Sequence, residues 1–351
     1  MASVPAGYEG VPTGYEPARR FRSAASHYLA GRPAYAGLLV RRVATLVGLG
    51  PGDRVLDLGC GPGVLARAFS TLAGEVVAMD PEPAMLHVAQ AYCAELGNVR
   101  FVAGSSDDLT LALGRFRLVV MGRSFHWMDR AVTLRRLDSL VEPGGAVVLF
   151  HTGHAPVPVN AWTEHFHELR RRYRGDADEP VGPNAATSDQ AVPIAAVRDR
   201  AGTHAAPADR AAPNAAAADR AGPNSAVADR AGPNAAAADQ GGQHCGSGRR
   251  GWRSGASGGP WVRHEAFLLA SPFCHVEGHS VYEEGQVDAA RLIDRAFSMS
   301  GTAPEKLGAR ATELERDIAD LVRDEAPHGR LTEVIESSAL IARRPGEEVA
   351  P

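Results

Sequence analysis

A chain of 351 residues, 44% hydrophobic and 22% charged, has the composition of a globular protein and the length of two domains, or of one domain with non-globular additions. The net charge of −4 and a pI near 6.4 leave no basic field for phosphates or anionic lipid, so neither nucleic acid nor membrane is an expected partner. No apolar run reaches the ~18 residues that cross a bilayer, and MASVPAGYEG lacks the charged-then-apolar pattern of a secretory signal, so the expected location is cytoplasmic. Cys60, Cys93, Cys245 and Cys274 form no CxxC pair, which argues against a zinc ribbon or a disulfide framework.

In chain order, VPAGYEG and VPTGYEP are a short duplication inside a tail over residues 1–18, read as disordered. From 19 to 179 apolar runs alternate with helical patterns. Strands are predicted over 54–58, 76–80, 99–102, 118–121 and 146–150, each short and apolar as buried parallel strands are. Leu65, Phe69 and Leu72 make one helical face, and Met85, Val88, Ala89 and Tyr92 another. Strand-helix alternation of this kind predicts a doubly wound α/β sheet. Between 180 and 258 the pattern stops. Aspartates recur every ten residues from Asp189 to Asp239, in units close to ADRAGPNAAA that lack large apolar side chains. Such units cannot offset ordering costs of ~1–2 kcal/mol per residue, so a disordered decapeptide-repeat insert is predicted rather than a solenoid. Over 183–242, six aspartates face five arginines, which excludes a nucleic-acid tail. Strands at 273–281 and 334–343 and a helix at 309–324 then complete the domain over 259–345, its last strands forming a hairpin edge.

Chemistry concentrates at the end of the first strand, where VLDLGCGPG at 55–63 runs directly into a helix. Glycines there let a ligand approach the backbone, and the helix start supplies free N–H groups. Gly59, Gly61 and Gly63 read G-x-G-x-G behind Asp57, which is not the G-x-G-x-x-G of dinucleotide sites. Asp80, seventeen residues after Gly63, ends the second strand where a carboxylate accepts hydrogen bonds from both ribose hydroxyls. Together these point to an adenosine ligand with no required pyrophosphate.

DLGCGPG, VVAMDPEPAML, NVRFVAGSSDDL, FRLVVMGRSFHWMDR and LDSLVEPGGAVVLF resemble class I S-adenosylmethionine-dependent methyltransferases, within them the small-molecule branch that has Ser-Phe-His-Trp after the fourth strand. The resemblance covers residues 20–175 strongly and 260–345 more loosely. It implies a Rossmann-like seven-stranded sheet of order 3-2-1-4-5-7-6 with strand 7 antiparallel, and S-adenosylmethionine as cofactor. It also implies site residues: Asp57, Gly59, Gly61 and Gly63 facing the methionine and ribose part, Asp80 on the ribose hydroxyls, and Pro81 and Glu82 flanking the adenine. Ser106 and Asp107 would lie at the adenine edge, Gly122 and Arg123 beneath the methionine part, and Phe21, Tyr28, Arg32 and Tyr35 in a covering lid. Relatives commonly carry an acid where Ser105 stands, a gap Asp107 is expected to fill, and Phe-Asp where Phe116-Arg117 opens the fourth strand.

Methyl transfer needs an aligned nucleophile and, for hydroxyl or acid acceptors, a place for its proton. His126, five residues past the fourth strand with an ordinary pKa near 6.5, is the first candidate base, and the rival reading packs it beside Trp127. His151 and His154 follow the fifth strand and are candidate pocket residues. His165 and His167, two apart on a helix, point to different faces, and no metal site is expected. The expected protein is a monomeric or homodimeric methyltransferase acting on a small molecule, a secondary metabolite or small organic acid. The rivals are a nicotinamide-dependent oxidoreductase and a non-catalytic cofactor-binding partner subunit.

Overall fold

The structure, a computed structural model, describes residues 25–174 and 264–346. The expectations for the tail over 1–18, for Phe21 and for the repeat insert over 180–258 lie outside the described residues.

Each predicted apolar run is a strand: β1 is Arg54–Leu58, β2 Glu75–Asp80, β3 Val99–Ala103, β4 Phe116–Gly122 and β5 Val141–His154. With β6, His275–Asp288, and β7, Arg330–Arg343, they form a seven-stranded sheet of order β3-β2-β1-β4-β5-β7-β6. The first five strands pair in parallel and β7 runs antiparallel to both β5 and β6, as expected of a Rossmann-like methyltransferase sheet. The sixth strand differs from its predicted span, starting at His275 and running seven residues further, to Asp288. Phe273 is instead a fully buried anchor ahead of it, and the extra residues are polar because β6 is an edge strand, where the apolar signal fades.

Alternation along the strands builds two cores. Val55, Leu118, Val120, Val148 and Phe150 face one side with Leu39, Val43 and Phe69, while Leu56, Leu58, Val119, Met121 and Leu149 face the other with Leu134, Leu137 and Leu268. Both faces are therefore covered, as a parallel sheet requires. The covering helices are α1 (Ala25–Gly31), α2 (Gly37–Leu46), α3 (Val64–Ser70), α4 (Pro83–Tyr92), α5 (Arg130–Leu140), α6 (Trp162–Tyr173) and α7 (His264–Leu269). The helix predicted around Leu65 and Phe69 ends at Ser70, so Leu72 sits in the following turn. A third core is separate: Trp162, Phe166 and Leu169 of α6 pack with Leu292 and Ala296 of α8 (Ala289–Phe297), Leu307 of α9 (Pro304–Leu307) and Leu314, Ile318 and Val322 of α10 (Arg310–Glu325).

This cap reaches the site through α1, which lies on α8. His27 Nδ1 is 2.7 Å from Asp294 Oδ1, its ring meets Phe297 edge-on at 5.2 Å, and Arg295 Nε donates to the Gly31 carbonyl at 2.9 Å. The Arg295 guanidinium also grips Glu333 (2.7 and 3.2 Å), and His154 Nε2 stands 3.0 Å from the same carboxylate. Burial raises the Glu333 pKa, but hydrogen bonds from His154 and Arg295 outweigh burial and hold the carboxyl down at about 2. At Gly31 the helices touch backbone to backbone, since an added Cβ would sit 2.3 Å from Arg295 N and Asp294 C. Neither atom belongs to a movable side chain. Gly31→Ala is therefore expected to lower stability by about 1–3 kcal/mol, the usual cost of overpacking, read as a shifted urea midpoint with unchanged m value. His27→Ala, at a partly exposed pair, is expected to cost less than about 1 kcal/mol.

Candidate functional site

The turn after β1 takes its shape from glycine. Gly59, Gly61 and Gly63 have φ of +70°, +53° and +84°, which L side chains rarely adopt. At Gly59 a Cβ would also lie 2.5 Å from Ser124 Cβ, so the turn after β1 and the turn after β4 touch. Around Gly61 the space where a side chain would project is open.

Two carboxyls hold this turn. Asp57, 1% exposed, accepts from the Ala66 amide at 2.8 Å and so fixes the first turn of α3. Asp80 Oδ2 accepts from Gly61 N at 2.8 Å and Oδ1 from Glu82 N at 2.9 Å, tying the turn after β1 to the turn after β2. Burial pushes Asp57 up to about 7, against the Ala66 hydrogen bond and helped by the charge of Asp80. Burial likewise pushes Asp80 up to about 6, opposed by the Glu82 and Gly61 amides. Both carboxyls thus give up their protons near neutrality, and a ligand that donates hydrogen bonds or carries positive charge favours the ionised forms.

A cleft opens above, lined by Tyr28, Tyr35, Asp57, Gly59, Gly61, Pro62, Gly122 and Arg123. Cys60, Val64 and Leu65 also line it, and these three and Pro62 were not expected from sequence as site residues. Their signal was adjacency alone, since each neighbours a glycine of the turn or opens α3. Tyr35 closes over Gly122, whose added Cβ would meet the Tyr35 hydroxyl at 2.5 Å, and burial pushes that hydroxyl up to about 12.

The other expected residues distribute unevenly. Glu82 is buried and caps α4, accepting from Ala84 N at 3.2 Å, with Pro81 half-buried beside it. Ser106 is buried in a 3-10 turn that Ser105 caps, so Ser105 serves the backbone at the position where the resemblance led to an acid being expected. Asp107, expected to take over from that acid, is exposed and ion-paired with Arg136 at 2.6 Å. Arg32 donates from Nε to Ser298 Oγ at 2.9 Å, and its guanidinium lies 5.6 Å from the Tyr28 ring, so it supports the cleft from behind. Arg117, in the altered pair opening β4, donates to the Val47 carbonyl at 2.9 Å, away from the cleft.

The histidines separate. His154 belongs to the buried group with Glu333 and Arg295 and meets Trp162 edge-on at 5.2 Å, which takes it out of the cleft wall. His165 pairs with Glu325 at 2.6 Å on the cap surface, and His151 is half-buried in β5. His126 packs beside Trp127, ring centroids 4.8 Å apart, as in the packing reading. Its ordinary pKa, the reason for choosing it as base, is corrected: burial, with His264, His151, Arg130 and Arg32 nearby, pushes it down to about 3. Among the described residues no cluster of three or more His, Cys, Asp or Glu is arranged to hold a metal ion, and no helix is long and apolar enough to cross a membrane.

Comparison with known proteins agrees with this geometry. Residues 55–145 match the family described as a methyltransferase domain. The ubiquinone biosynthesis O-methyltransferase of Azorhizobium caulinodans is 33% identical over 100 residues, 28% of this chain and 40% of that protein. The malonyl-[acyl-carrier protein] O-methyltransferase of Pseudescherichia vulneris is 35% identical over 131 residues, 35% of this chain and 51% of that protein. The chain thus spans about half or less of the length of the curated relatives it matches. A putative type II methyltransferase from Anaeromyxobacter dehalogenans shares the fold, with a TM-score of 0.51 at 15% identity over 89% of this chain and 97% of that one. Residues 55–145 are thus similar to a methyltransferase domain, and the sheet order is that of the Rossmann-like fold shared with a methyltransferase structure.

Because Asp57 and Asp80 are partly protonated near pH 6.5, a ligand that favours their ionised forms lowers both pKa values and expels protons. S-adenosylhomocysteine binding is expected to release protons at pH 6–7 and almost none by pH 8.5, measured by calorimetry in buffers of different ionisation enthalpy. Asp80→Asn is expected to reduce the release and weaken binding by roughly 1.5–3 kcal/mol, the range for hydrogen bonds to a charged group.

Proposed function

We propose that the protein transfers the methyl group of S-adenosylmethionine to a small molecule, a secondary metabolite or small organic acid, in the cytoplasm. The observation that carries the reading is the Asp80 carboxyl held between the amide of Glu82 and that of Gly61, a residue of the glycine-built cleft. That arrangement sets a carboxyl beside the glycine turn, suits a ribose that donates hydrogen bonds, and requires no pyrophosphate. When bound, S-adenosylmethionine supplies an electrophilic methyl on its sulfonium. Asp57, Gly59, Gly61 and Gly63 would face its methionine and ribose part, Asp80 its ribose hydroxyls, Pro81 and Ser106 its adenine, and Gly122 and Arg123 its methionine end. Asp107, engaged by Arg136, would border the adenine edge from outside. Tyr28 and Tyr35 cover the cleft and exclude water.

The nicotinamide alternative has less support, because the glycine spacing lacks the third position that a pyrophosphate needs. Incubation of the protein with a cell extract and methyl-labelled S-adenosylmethionine is expected to label a species of low molecular mass, read by mass spectrometry. Reduced dinucleotide is expected to give no saturable absorbance or fluorescence change. Saturable dinucleotide binding without S-adenosylhomocysteine binding would reverse the reading, and cofactor binding with no labelled product from any extract would favour a non-catalytic subunit.

His126 tests the proton step. A group held at a pKa near 3 is a poor acceptor at neutral pH, so the acceptor's nucleophile is expected to arrive without needing a strong base. His126→Gln, which keeps a hydrogen-bonding side chain without basicity, is expected to retain turnover within about tenfold on the true acceptor. A fall of ~10²–10⁴ with cofactor affinity intact would instead restore the base role.

A further inference from the structure

The fifth strand outruns the fourth. β4 ends at Gly122, opposite Phe150, whereas β5 continues to His154, paired with Ile335 of β7, and β6 lies on the far side of β7. The carboxyl edge, where open α/β sheets bind their ligands, therefore carries a three-stranded wall. Strand alternation gives that wall two faces. One continues the side of Phe150, Ala339 and Ile341 and is filled: Thr152 Oγ1 accepts from Arg123, Ser337 Oγ accepts from the Ala36 amide, and Glu333 accepts from Arg295. The other continues the side of Leu149 and Leu340 and turns polar beyond them. There His151, Ser338 and Ser280 form one cross-strand row, and Gly153, Glu336 and Tyr282 form the next.

Glu336 stands out on this second face. It is 2% exposed, and a glutamate is seldom buried so far unless it is fully paired. Ser280 Oγ donates to its Oε1 at 2.6 Å, while Oε2 is screened from solvent and has no hydrogen-bond partner among the described residues. On the β5 side its neighbour in register is Gly153, which has no side chain to offer. On the β6 side is Tyr282, whose hydroxyl pKa is raised by partial burial and by the charge of Glu336. A buried carboxylate oxygen without a donor costs free energy until one reaches it. The place is also right for a ligand. His151, in the adjacent row, is close enough to act on His126 together with His264, Arg130 and Arg32, so this face of the wall borders the turn after β4 and the basic side of the edge.

We infer that Glu336 binds the methyl acceptor, its Oε2 taking a hydrogen bond from a hydroxyl or ammonium group that the acceptor carries. This rests on the proposed methyltransferase reading and extends it by giving the acceptor a group by which it is recognised. Hydroxyl and ammonium share the recognising chemistry, a donor aimed at a buried carboxylate, and differ in charge.

The test uses the full chain saturated with S-adenosylhomocysteine, as the parent and as Glu336→Gln. Benzylamine, protonated at neutral pH, phenol and the donor-free anisole are titrated in and followed by ligand-observed NMR. If the acceptor carries an ammonium, benzylammonium binds the parent roughly tenfold or more tightly than anisole, and the advantage falls below about threefold in Glu336→Gln. If it carries a hydroxyl, phenol has the roughly tenfold advantage, and Glu336→Gln reduces it to about threefold, because a neutral amide oxygen accepts about half as strongly as a carboxylate. Either pattern supports the assignment. Both probes binding the parent no better than anisole overturns it, and so does Glu336→Gln matching the parent for both. A merely structural glutamate gives the latter result, with a lowered urea midpoint and unchanged probe preference. Should Glu336→Gln fail to fold, Glu336→Asp, which keeps the charge but withdraws it by one methylene, undergoes the same comparisons with a partial loss expected and an unchanged preference overturning the assignment. If S-adenosylhomocysteine does not bind the parent, the methyltransferase reading fails separately, and the same titrations without it still judge Glu336.

Discussion

Two backbone amides converge on one buried carboxyl, and the geometry of the site follows from that meeting. Asp80 accepts from Gly61 and from Glu82, so the turns that follow β1 and β2 are locked to each other. Parallel pairing sets this up: Asp57 lies opposite Ala78 and Leu58 opposite Met79, which brings the two strand ends level, and the amides of Gly59 and Cys60 both donate to the Met79 carbonyl. With the strand ends level, the first free amides of the glycine turn face the end of β2 rather than solvent. The cost is a carboxyl held out of water, visible in pKa values raised for both Asp57 and Asp80. Their ionisation destabilises the empty fold as pH rises through about 6–7, because the unfolded carboxyls lose their protons near 4. A ligand offering hydroxyls or positive charge removes that penalty, so the site exchanges stability for affinity.

The basic side of the edge obeys the opposite sign. His126 and His264 are held down to about 3 and 4, chiefly by burial, so each stays neutral where an unfolded histidine would take a proton. Stability from this source is present above about pH 6.5 and is lost as pH falls toward 4. Acidic and basic halves therefore pull in opposite directions across the same pH range and largely offset each other between about pH 4 and 6.5. Glu333 does not share in this compromise, because its hydrogen bonds with Arg295 and His154 keep it ionised down to about pH 2.

The legible part of this protein was the part where one local rule suffices. Buried parallel strands announce themselves as short apolar runs, and four of the five such runs were located to within two residues of their observed ends. The exception, β5, extends past its apolar run at both ends, into the Pro143 turn region and out to His154. The glycine turn was legible because positive φ at three positions leaves sequence few alternatives to glycine. Arg123 in the same conformation could not be read that way, since nothing in the residue type announces a left-handed backbone. The lowered pKa of His126 was not legible for a related reason: it comes from burial that composition does not reveal and from His264, 138 positions away. The ion pair of Asp107 with Arg136 was not legible either, because Arg136 sits on α5, 29 positions later in sequence.

The most distant dependence runs from the cap to the cleft. Tyr28 covers the cleft from α1, yet α1 contributes few apolar side chains of its own and is held by α8, about 265 positions later in sequence. Arg295 makes the join, donating to the Gly31 carbonyl on one side and to the Glu333 carboxylate of β7 on the other, so the covering segment is tied to the antiparallel strand that closes the sheet. Removing either partner would strand a buried charge, which is more costly than leaving an apolar contact unmade. The position of Tyr28, and through its ring the setting of Arg123, is therefore an outcome of the C-terminal cap as much as of the glycine turn. A site whose floor comes from β1 and β2 and whose cover depends on α8 and β7 can keep its cofactor geometry while the cap varies. The family match at residues 55–145 falls on β1 and β2, the strands that supply this floor.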